Sequence, residues 1–375
     1  MKVQHIGLMI ESLSGYGSQI LKGIGQYAHQ KNNWRIAFFD HERRELLEKL
    51  AQWEGDGIIC TAVDQRFRDT ALGRKIPVVN VAALIEDPNL LSVISNDHAA
   101  GRMGAEFFIE RGFRHAGFIR SRDSANYSKS RLQGFEERFA EEDIEVHSIA
   151  LPQRTADEDL LEWIKSLPRP LALMGAIDRL AAMTLEACWK LGLKVPEEVA
   201  VLGIGNHSQM CELCSPTLSS IHIDMERRGY EAARLLDKIM SGKARPSEPL
   251  LIDPVHVVER RSTDIFAFED RDLVVALRFI RDGAESSIKV ADVVAATKLS
   301  RRSLEGRFVN HLGRTIHEEI WRAHFHIAKR LLTSSDLGLQ EVAKRSGFRT
   351  ASSLINLFGK HLGMTPKEYR INNRR

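Results

Sequence analysis

The chain has 375 residues, 43% of them hydrophobic, and a formal net charge of +3, so it is long enough for two or three domains with buried cores. No apolar run reaches the ~18 residues that a membrane-spanning helix needs, and the start MKVQHIGLMI lacks the charged, apolar and cleavage segments of a secretory signal. The four cysteines fit a reducing compartment better than a disulfide framework; they are Cys60, Cys188, Cys211 and Cys214. We therefore expect a cytoplasmic protein without membrane contact.

The small net charge conceals an uneven distribution. From Asp270 onward there are 20 lysines and arginines against 11 aspartates and glutamates, which leaves 33 against 39 for the rest of the chain. A basic tail on an acidic body is what attraction to phosphates predicts, because neutralising phosphates releases counterions. Taken alone, a charged run is also typical of a solvated face.

Short apolar segments alternate with amphipathic helices through the first part of the chain. The predicted strands are 3–10, 34–40, 56–62, 77–82 and 92–97, and the first loop and helix occupy 14–30. This alternation predicts a parallel sheet covered on both faces.

A second series of the same kind follows. Its predicted strands are 115–121, 145–151, 171–176 and 199–205, with helices around 128–142, 157–166 and 178–192. Segments 217–223 and 250–260, with helix 224–241 between them, are expected to complete this lobe. The count predicts two α/β lobes, and the boundary to the next domain falls near 261–272, where RRSTDIFAFEDRD has charge and little periodicity.

Four stretches of the first 263 residues carry a family resemblance: SNDHAAGRMGAEFFIERGFRHAGFI (95–119), SRLQGF (130–135), VAVLGIGNH (199–207) and TLSSIHIDMERRGYEAARLL with VVERRST (within 217–263). They resemble the effector domain that LacI-type regulators share with periplasmic sugar-binding proteins. The resemblance implies a two-lobed periplasmic-binding-protein-like domain over 1–263, a linker at 264–272 and a second domain at 273–375. The amino-terminal DNA-binding headpiece usual in LacI-type regulators is missing, because the first predicted strand begins at residue 3.

Such domains bind a small molecule between the lobes, where loops at the carboxyl ends of parallel strands converge. The resemblance places ligand contacts at five residues: Tyr16, Asp97, Arg131, Asp178 and Asn206. Carboxylates accept bonds from sugar hydroxyls, and a guanidinium donates to several oxygens in fixed geometry. The alternatives are that Tyr16 covers an edge, that the two aspartates cap helices, and that Arg131 pairs with a nearby carboxylate.

The resemblance implies an aspartate that binds hydroxyls at the position of Gly205, so the sequence leaves open whether the ligand is xylose or another small molecule. Cys211 and Cys214 have half of a zinc-site spacing without a second pair, and an ordinary loop is the favoured interpretation. The glycine-containing turns GIGNH and GYGS lack dinucleotide or phosphate-loop spacing. We therefore expect no metal and no cofactor.

A helix-turn-helix pattern appears twice in the last hundred residues. Val293 and Val294 lead to Leu304, Phe308, Leu312 and Gly313; Val342 and Ala343 lead to Leu354, Phe358, Leu362 and Gly363. The apolar residues four apart face inward on the second helix of each copy. Residues 315–333 predict a long amphipathic helix that joins the copies on a shared core, so that two helices can enter successive major grooves about 34 Å apart.

The segment from Val290 to Arg370, which ends KRSGFRTASSLINLFGKHLG and GMTPKEYR, resembles the DNA-binding domain of AraC/XylS-type transcription regulators. It departs from the family at Ser353 and Leu354, often aromatic there, and at Asn356, often arginine. The polar faces of the two second helices give the candidate DNA contacts: Arg301, Arg302, Ser303, Glu305, Arg307, Thr350, Ser352, Ser353 and Asn356. Arginines bind guanines or phosphates, whereas the serines and Thr350 could instead cap helices.

Together the two resemblances imply a sugar-responsive transcription regulator. Its expected partners are double-stranded operator DNA, xylose or a related monosaccharide, a second copy of the chain and, for an activator of a pentose operon, RNA polymerase. A regulator of another small molecule, a repressor and a sugar-binding transport component are the alternatives. An enzyme is not expected, since no activated-cysteine or other reactive motif is visible.

Overall fold

A computed structural model describes residues 3–10, 15–39, 43–61, 64–74, 76–84, 87, 89–121, 126–151, 158–243 and 245–373. Residues 14, 40, 62 and 157, at the ends of predicted segments, lie outside the described residues. The chain divides into two compact units. The first comprises Met1–Phe107 and Arg114–Asp264, and the second comprises Phe108–Phe113 and Ile265–Arg375.

Most strands of the first unit form one sheet in each of two lobes, and two strands form a separate parallel pair. They are β1 (Gln4–Met9), β2 (Trp34–Phe38), β3 (Gly57–Cys60), β4 (Val78–Asn80), β5 (Val93–Ser95), β6 (His115–Ser121), β7 (Val146–Leu151), β8 (Leu171–Gly175), β9 (Val199–Ile204), β10 (Ser219–Ile223), β11 (Leu250–Ile252) and β12 (Pro254–Val258). The first lobe has the order β2-β1-β3-β4, the second has β12-β10-β9-β8-β6-β7, and β5 and β11 form the separate pair. Neighbouring strands are parallel apart from β10 and β12, which are antiparallel. The predicted two-lobed α/β architecture is confirmed.

Helices cover both sheets. They are α1 (Gly15–Lys31), α2 (Arg43–Gln52), α3 (Gln65–Leu72), α4 (Asp97–Ile109), α5 (Asn126–Ala140), α6 (Glu158–Ser166), α7 (Asp178–Lys190), α8 (Ser208–Leu213) and α9 (Met225–Met240). A 3₁₀ turn at Arg261–Thr263 follows β12. Helix α9 packs against α1 and against β3, β4 and β5, so this helix belongs to the first lobe although β10 before it belongs to the second.

The chain passes between the lobes three times: after β5, after β10 and after β11. The first and third passages are joined, because the backbone N–H of Asn96 donates to the carbonyl oxygen of Ile252 at 2.8 Å. The side-chain amide of Asn96 also donates to the Asp253 carboxylate at 2.8 Å.

Segment 250–260 and helix 224–241 were expected to complete the second lobe, but the helix and the first half of the segment belong to the first lobe. Leu250–Ile252 pairs with β5, whereas Pro254–Val258 pairs with β10 in the second lobe. The physical reason is the passage between lobes at Asp253, which gives the two halves of one apolar segment different partners.

The second unit is helical. Its helices are α10 (Arg271–Gly283), α11 (Val290–Ala295), α12 (Arg301–Leu312), α13 (Ile316–Ser334), α14 (Leu339–Arg345), α15 (Ala351–Leu362) and α16 (Pro366–Asn373). Helices α11 and α12 form the first helix-turn-helix copy, α14 and α15 form the second, and α13 is the predicted joining helix.

The two copies share their end signals as well as their apolar pattern. Helices α12 and α15 each begin at a hydroxyl cap, Ser300 and Thr350, whose oxygen accepts the N–H three residues later. Each ends at a left-handed glycine, Gly313 with φ +66° and Gly363 with φ +64°, a conformation that glycine adopts without steric cost. Threonine and glutamate then cap the next helix in both copies: Thr315 with Glu318, and Thr365 with Glu368.

Each copy has its own hydrophobic core, so the predicted single shared core is wrong, although α13 contributes residues to both. Phe308 of α12 and Phe358 of α15 are fully buried at equivalent places, the first against α10 and the start of α13, the second against α13, α14 and α16. Replacing a buried phenylalanine by alanine costs about 3–5 kcal/mol, so either core residue contributes much of what holds its copy together. The second helix of each copy is therefore fixed on a rigid support.

Candidate effector site and nucleic-acid interface

Asp97 and Arg131 form a buried ion pair at the start of the second lobe. Arg131 Nε and Nη2 lie 2.8 and 2.7 Å from Asp97 Oδ1, and each residue is 6% exposed. The guanidinium also donates to the carbonyl oxygen of Ala176 after β8 and lies over the Tyr127 ring. Asn96, not Asp97, caps α4 by accepting from the N–H of Ala99. Of the alternatives open from the sequence, pairing of Arg131 with a carboxylate is realised and capping by Asp97 is not.

Asp178 holds three segments of the second lobe together. Its carboxylate accepts from the backbone N–H of His207 at 2.7 Å and from the Ser220 hydroxyl. The residue before α7, Ile177, occupies the cap position, so Asp178 lies inside the first turn and does not cap it through its side chain. Burial raises the pKa of Asp178, and the bonds from Ser220 and His207 oppose that shift.

Gly205 lies beside this carboxylate. Its φ is +124°, which strongly disfavours a residue with a side chain, and a Cβ there would lie 3.3 Å from Asp178 Oδ2. A side chain at this position would therefore need a strained backbone conformation and would press against Asp178, which occupies the adjacent space.

Tyr16 connects α1 to two other parts of the first lobe. Its hydroxyl donates to the carbonyl oxygen of Val81 at 2.6 Å and accepts from Arg228 Nη2 at 2.9 Å. Burial raises the pKa of Tyr16; Arg228 and Arg131 lower it, and Asp97 adds to the increase. The tyrosine of the first lobe is thus close enough to the Asp97–Arg131 pair of the second for their charges to act on it.

Asn206 is the fifth predicted contact, and its side chain is engaged within the protein. Its φ of +52° places it in the left-handed region, its backbone N–H donates to Ser220 Oγ at 2.9 Å, and its amide oxygen accepts from Arg260 Nη2 at 3.1 Å. Arg260 also pairs with Glu212 at 2.7 Å. These contacts stabilise the turn between β9 and α8.

The structure thus brings Tyr16, Asp97 and Arg131 together, with Asp178 and Asn206 around Ser220. Sequence reasoning missed Arg228 and Ser220. A signal for Arg228 was present: it falls on the apolar face of α9 with Met225, Gly229, Ala232 and Leu236, where an arginine is out of place.

The second helices of the two copies present most of their predicted contacts to solvent. Seven of the nine are exposed: Arg301, Arg302, Ser303, Thr350, Ser352, Ser353 and Asn356. Glu305 is half-buried and accepts from the backbone N–H of Ile316 at 3.2 Å, and Arg307 is half-buried in ion pairs with Asp270 and Asp272. Thr350 caps α15, as the alternative from the sequence allowed.

Within the described residues, no helix is long and apolar enough to cross a membrane, and no group of three potential metal ligands occurs. The described side chains thus offer hydrogen-bonding and ionic contacts for a small molecule in the first unit and a polar, cation-bearing surface in the second.

Three family models match successive parts of the chain. Residues 5–95 match the XylR N-terminal domain, residues 105–263 match the periplasmic binding protein-like domain, and residues 293–372 match a helix-turn-helix domain. The fold and these matches define the chain as a transcription regulator in which a periplasmic-binding-protein-like domain precedes an AraC-type DNA-binding domain. Both predicted resemblances are confirmed.

Relatives of known name match nearly the whole chain. The chain is 29% identical to the xylose operon regulatory protein of Escherichia coli K12 over 98% of this chain and 97% of that one. It is also 29% identical to the protein of the same name from Haemophilus influenzae, with 98% of both chains covered. A solved structure of the xylose-binding transcription activator XylR superposes with a TM-score of 0.64 at 27% identity over all of both chains.

Proposed function

We propose that the chain is a sugar-responsive transcription regulator that activates an operon for pentose catabolism. The observation that carries this proposal is the similarity to xylose operon regulatory proteins over nearly the full length of both chains, effector domain and DNA-binding domain included. The similar solved structure is that of a xylose-binding transcription activator, and this similarity favours activation over repression.

The effector is proposed to bind between the lobes of the first unit. Tyr16 of the first lobe and the Asp97–Arg131 pair of the second supply a hydroxyl, a carboxylate and a guanidinium, the groups that recognise several sugar oxygens in fixed geometry. A sugar that contacts both lobes binds their closed arrangement more tightly than their open one. The ratio of these two affinities sets how far the sugar shifts the equilibrium towards closure. Closure in turn biases how the second unit engages DNA.

DNA is proposed to contact the exposed faces of α12 and α15. Arg301 and Arg302 are the two exposed cations at the start of α12 and supply phosphate or guanine contacts. The same proposal includes action as a cytoplasmic homodimer, which doubles the number of helix-turn-helix copies on one site, and contact with RNA polymerase at the promoter. No catalytic role is proposed.

The test combines DNA binding with a sugar panel. Genomic fragments selected by the full-length chain serve in fluorescence anisotropy with D-xylose, L-arabinose, D-ribose, D-glucose or no sugar. One pentose is expected to change the dissociation constant for DNA by about tenfold, a coupling of ordinary size. An unchanged dissociation constant across the panel contradicts sensing of these sugars, and a promoter reporter decides between activation and repression.

Variants separate the two sites. Arg301→Ala with Arg302→Ala is expected to weaken DNA binding with and without sugar and to lower the slope of log affinity against log salt by about 2. Lys165→Ala with Lys190→Ala is the matched loss of two cations, because each lysine pairs with a glutamate on the first unit, and it is expected to leave DNA binding unchanged. Equal effects of the two changes contradict the assigned interface.

A further inference from the structure

Arg228 is a cation buried in an apolar surface of the first lobe. It lies on the inward face of α9 with Met225, Gly229 and Leu236, and only 3% of it is exposed. Arginine keeps its charge at any pH at which proteins fold, so the buried group is a permanent positive charge.

Its partners are all neutral. Nη1 donates to Ser95 Oγ at 3.2 Å, Nη2 donates to the Tyr16 hydroxyl at 2.9 Å, and Nη2 also lies 3.3 Å from the Met225 sulfur. The guanidinium lies over the Tyr16 ring, 4.9 Å from its centre. Nε is buried without a hydrogen-bond partner, and within the described parts of the chain no carboxylate forms an ion pair with Arg228.

The Asp97–Arg131 pair does not supply the missing anion. Asp97 is bound by Arg131, whose Nε and Nη2 both contact Oδ1 of the carboxylate. Tyr16 bonds directly to Arg228 and is within the electrostatic influence of Asp97 and Arg131. Two guanidiniums therefore act on one place between the lobes, where a single carboxylate is already committed.

A buried charge without a counter-charge is costly, and an arginine fork matches a carboxylate or a phosphate in geometry as well as charge. We propose that Arg228 and Tyr16 receive an anionic group of the effector, so that the regulator responds to an acidic sugar, a sugar acid or sugar phosphate, in preference to a neutral one. This inference rests on the proposed function, because it assigns the ligand class of the same site between the lobes.

The test measures binding to the full-length chain by calorimetry and thermal shift. The probes are D-xylose, D-xylonate, D-xylulose 5-phosphate, and inorganic phosphate as the anion without a polyol. At least one acidic sugar is expected to bind about tenfold or more tightly than D-xylose, since a hydrogen bond to a charged group is stronger than one between neutral groups. The carboxylate and phosphate probes distinguish the two sources of the anion.

Two variants connect the preference to Arg228. Arg228→Met keeps an unbranched side chain without the charge and is expected to remove the preference for the acidic sugar, whereas Arg228→Lys is expected to retain part of it. Arg234→Met is the matched control, because Arg234 lies on the same helix and pairs with Glu231 at the surface. The comparison of probes on the unaltered chain does not depend on the folding of any variant.

The outcomes separate the two proposals. Tighter binding of neutral D-xylose than of either acidic sugar, with a change in DNA affinity, overturns the acidic-ligand inference and leaves the proposed function standing. Tight binding of an acidic sugar that leaves DNA affinity unchanged supports the ligand class and contradicts the regulatory function. Binding of inorganic phosphate as tightly as the sugar phosphate contradicts recognition of a sugar.

Discussion

Arg307 of α12 is held by Asp270, the residue that caps α10, with 2.5 Å between Arg307 Nη1 and Asp270 Oδ1. Asp272 adds a second carboxylate at 3.3 Å, and the His311 ring lies 3.9 Å from the other oxygen of Asp270. A predicted DNA contact is therefore neutralised by acidic residues of its own unit. Phosphate binding by Arg307 has to compete with these carboxylates.

Asp270→Asn is expected to strengthen DNA binding. Asparagine keeps the cap on α10 but removes the charge that competes for Arg307, so affinity should rise roughly three- to tenfold and the salt slope should increase by about 1. Anisotropy titrations at two or more salt concentrations measure both quantities. Asp282→Asn, which removes a carboxylate paired with Arg281 on the same helix, serves as control, and an equal gain in both variants would show general charge repulsion.

Asp97→Asn is expected to destabilise the first unit. The change leaves the buried Arg131 without its counter-charge, which costs roughly 3–5 kcal/mol of unfolding free energy in comparable buried pairs. Urea unfolding provides the measurement. Combining it with Arg131→Met should recover part of the loss, whereas Glu162→Gln in a surface pair should change stability by less than ~1 kcal/mol. A small loss for Asp97→Asn alone would contradict the importance of the pair.

Asp224 predicts a pH dependence of stability. Burial raises the pKa of this carboxyl, which caps α9 through Arg227, from 3.8 to about 6. Because the folded chain binds this proton more tightly than the unfolded chain, the contribution to stability is full below pH about 4 and is lost as the pH rises through 6. The loss amounts to at most about 3 kcal/mol.

Asp224→Asn keeps the cap without a titrating group. The variant is therefore expected to gain stability relative to the unaltered chain as pH increases from 4 to 7.5, by up to about 3 kcal/mol. Urea unfolding at a series of pH values measures the difference. A difference that does not vary with pH would show that the folded-state pKa is not raised.

Gly313 and Gly306 provide opposite responses to the same substitution. Gly313→Ala places a side chain at φ +66°, which should cost about 1 kcal/mol, and a Cβ there meets open space, so the cost is purely conformational. Gly306→Ala, inside α12 and also facing open space, should stabilise by roughly 0.5–1 kcal/mol because alanine favours the helix. Thermal unfolding compares them, and effects of the same sign would rule out the assigned left-handed cap.

The architecture could be predicted closely because its signals are local. Alternating apolar segments located the strands, and the end signals Gly313 and Gly363 marked the two helix-turn-helix copies in the sequence. The segment 250–260 was assigned to the second lobe because periodicity indicates which residues are buried and does not indicate which lobe supplies the partner strand. That information is held by pairings with β5 and β10, far away in sequence.

The sequence predicted which types of residue form the candidate sites, but it predicted fewer of the contacts that these residues make. Pairing of Arg131 with a nearby carboxylate was an alternative open from the sequence, but the sequence did not identify that carboxylate as Asp97. Arg228 was missed because a long cationic side chain on a helix usually extends to solvent, and only the packing of α9 against α1 shows that this one is buried. The sequence places Glu305 and Arg307 on the polar face of α12. It does not show that Ile316 and the carboxylates of Asp270 and Asp272 lie against them.

The bonds from Asn96 to Ile252 and Asp253 also limit how the lobes can move. The first and third passages between the lobes are tied side by side, so bending one also moves the other. We therefore expect these two passages to move together when the lobes open or close. A ligand that draws the lobes together would then displace both passages as one unit, and fewer independent movements would be lost on binding.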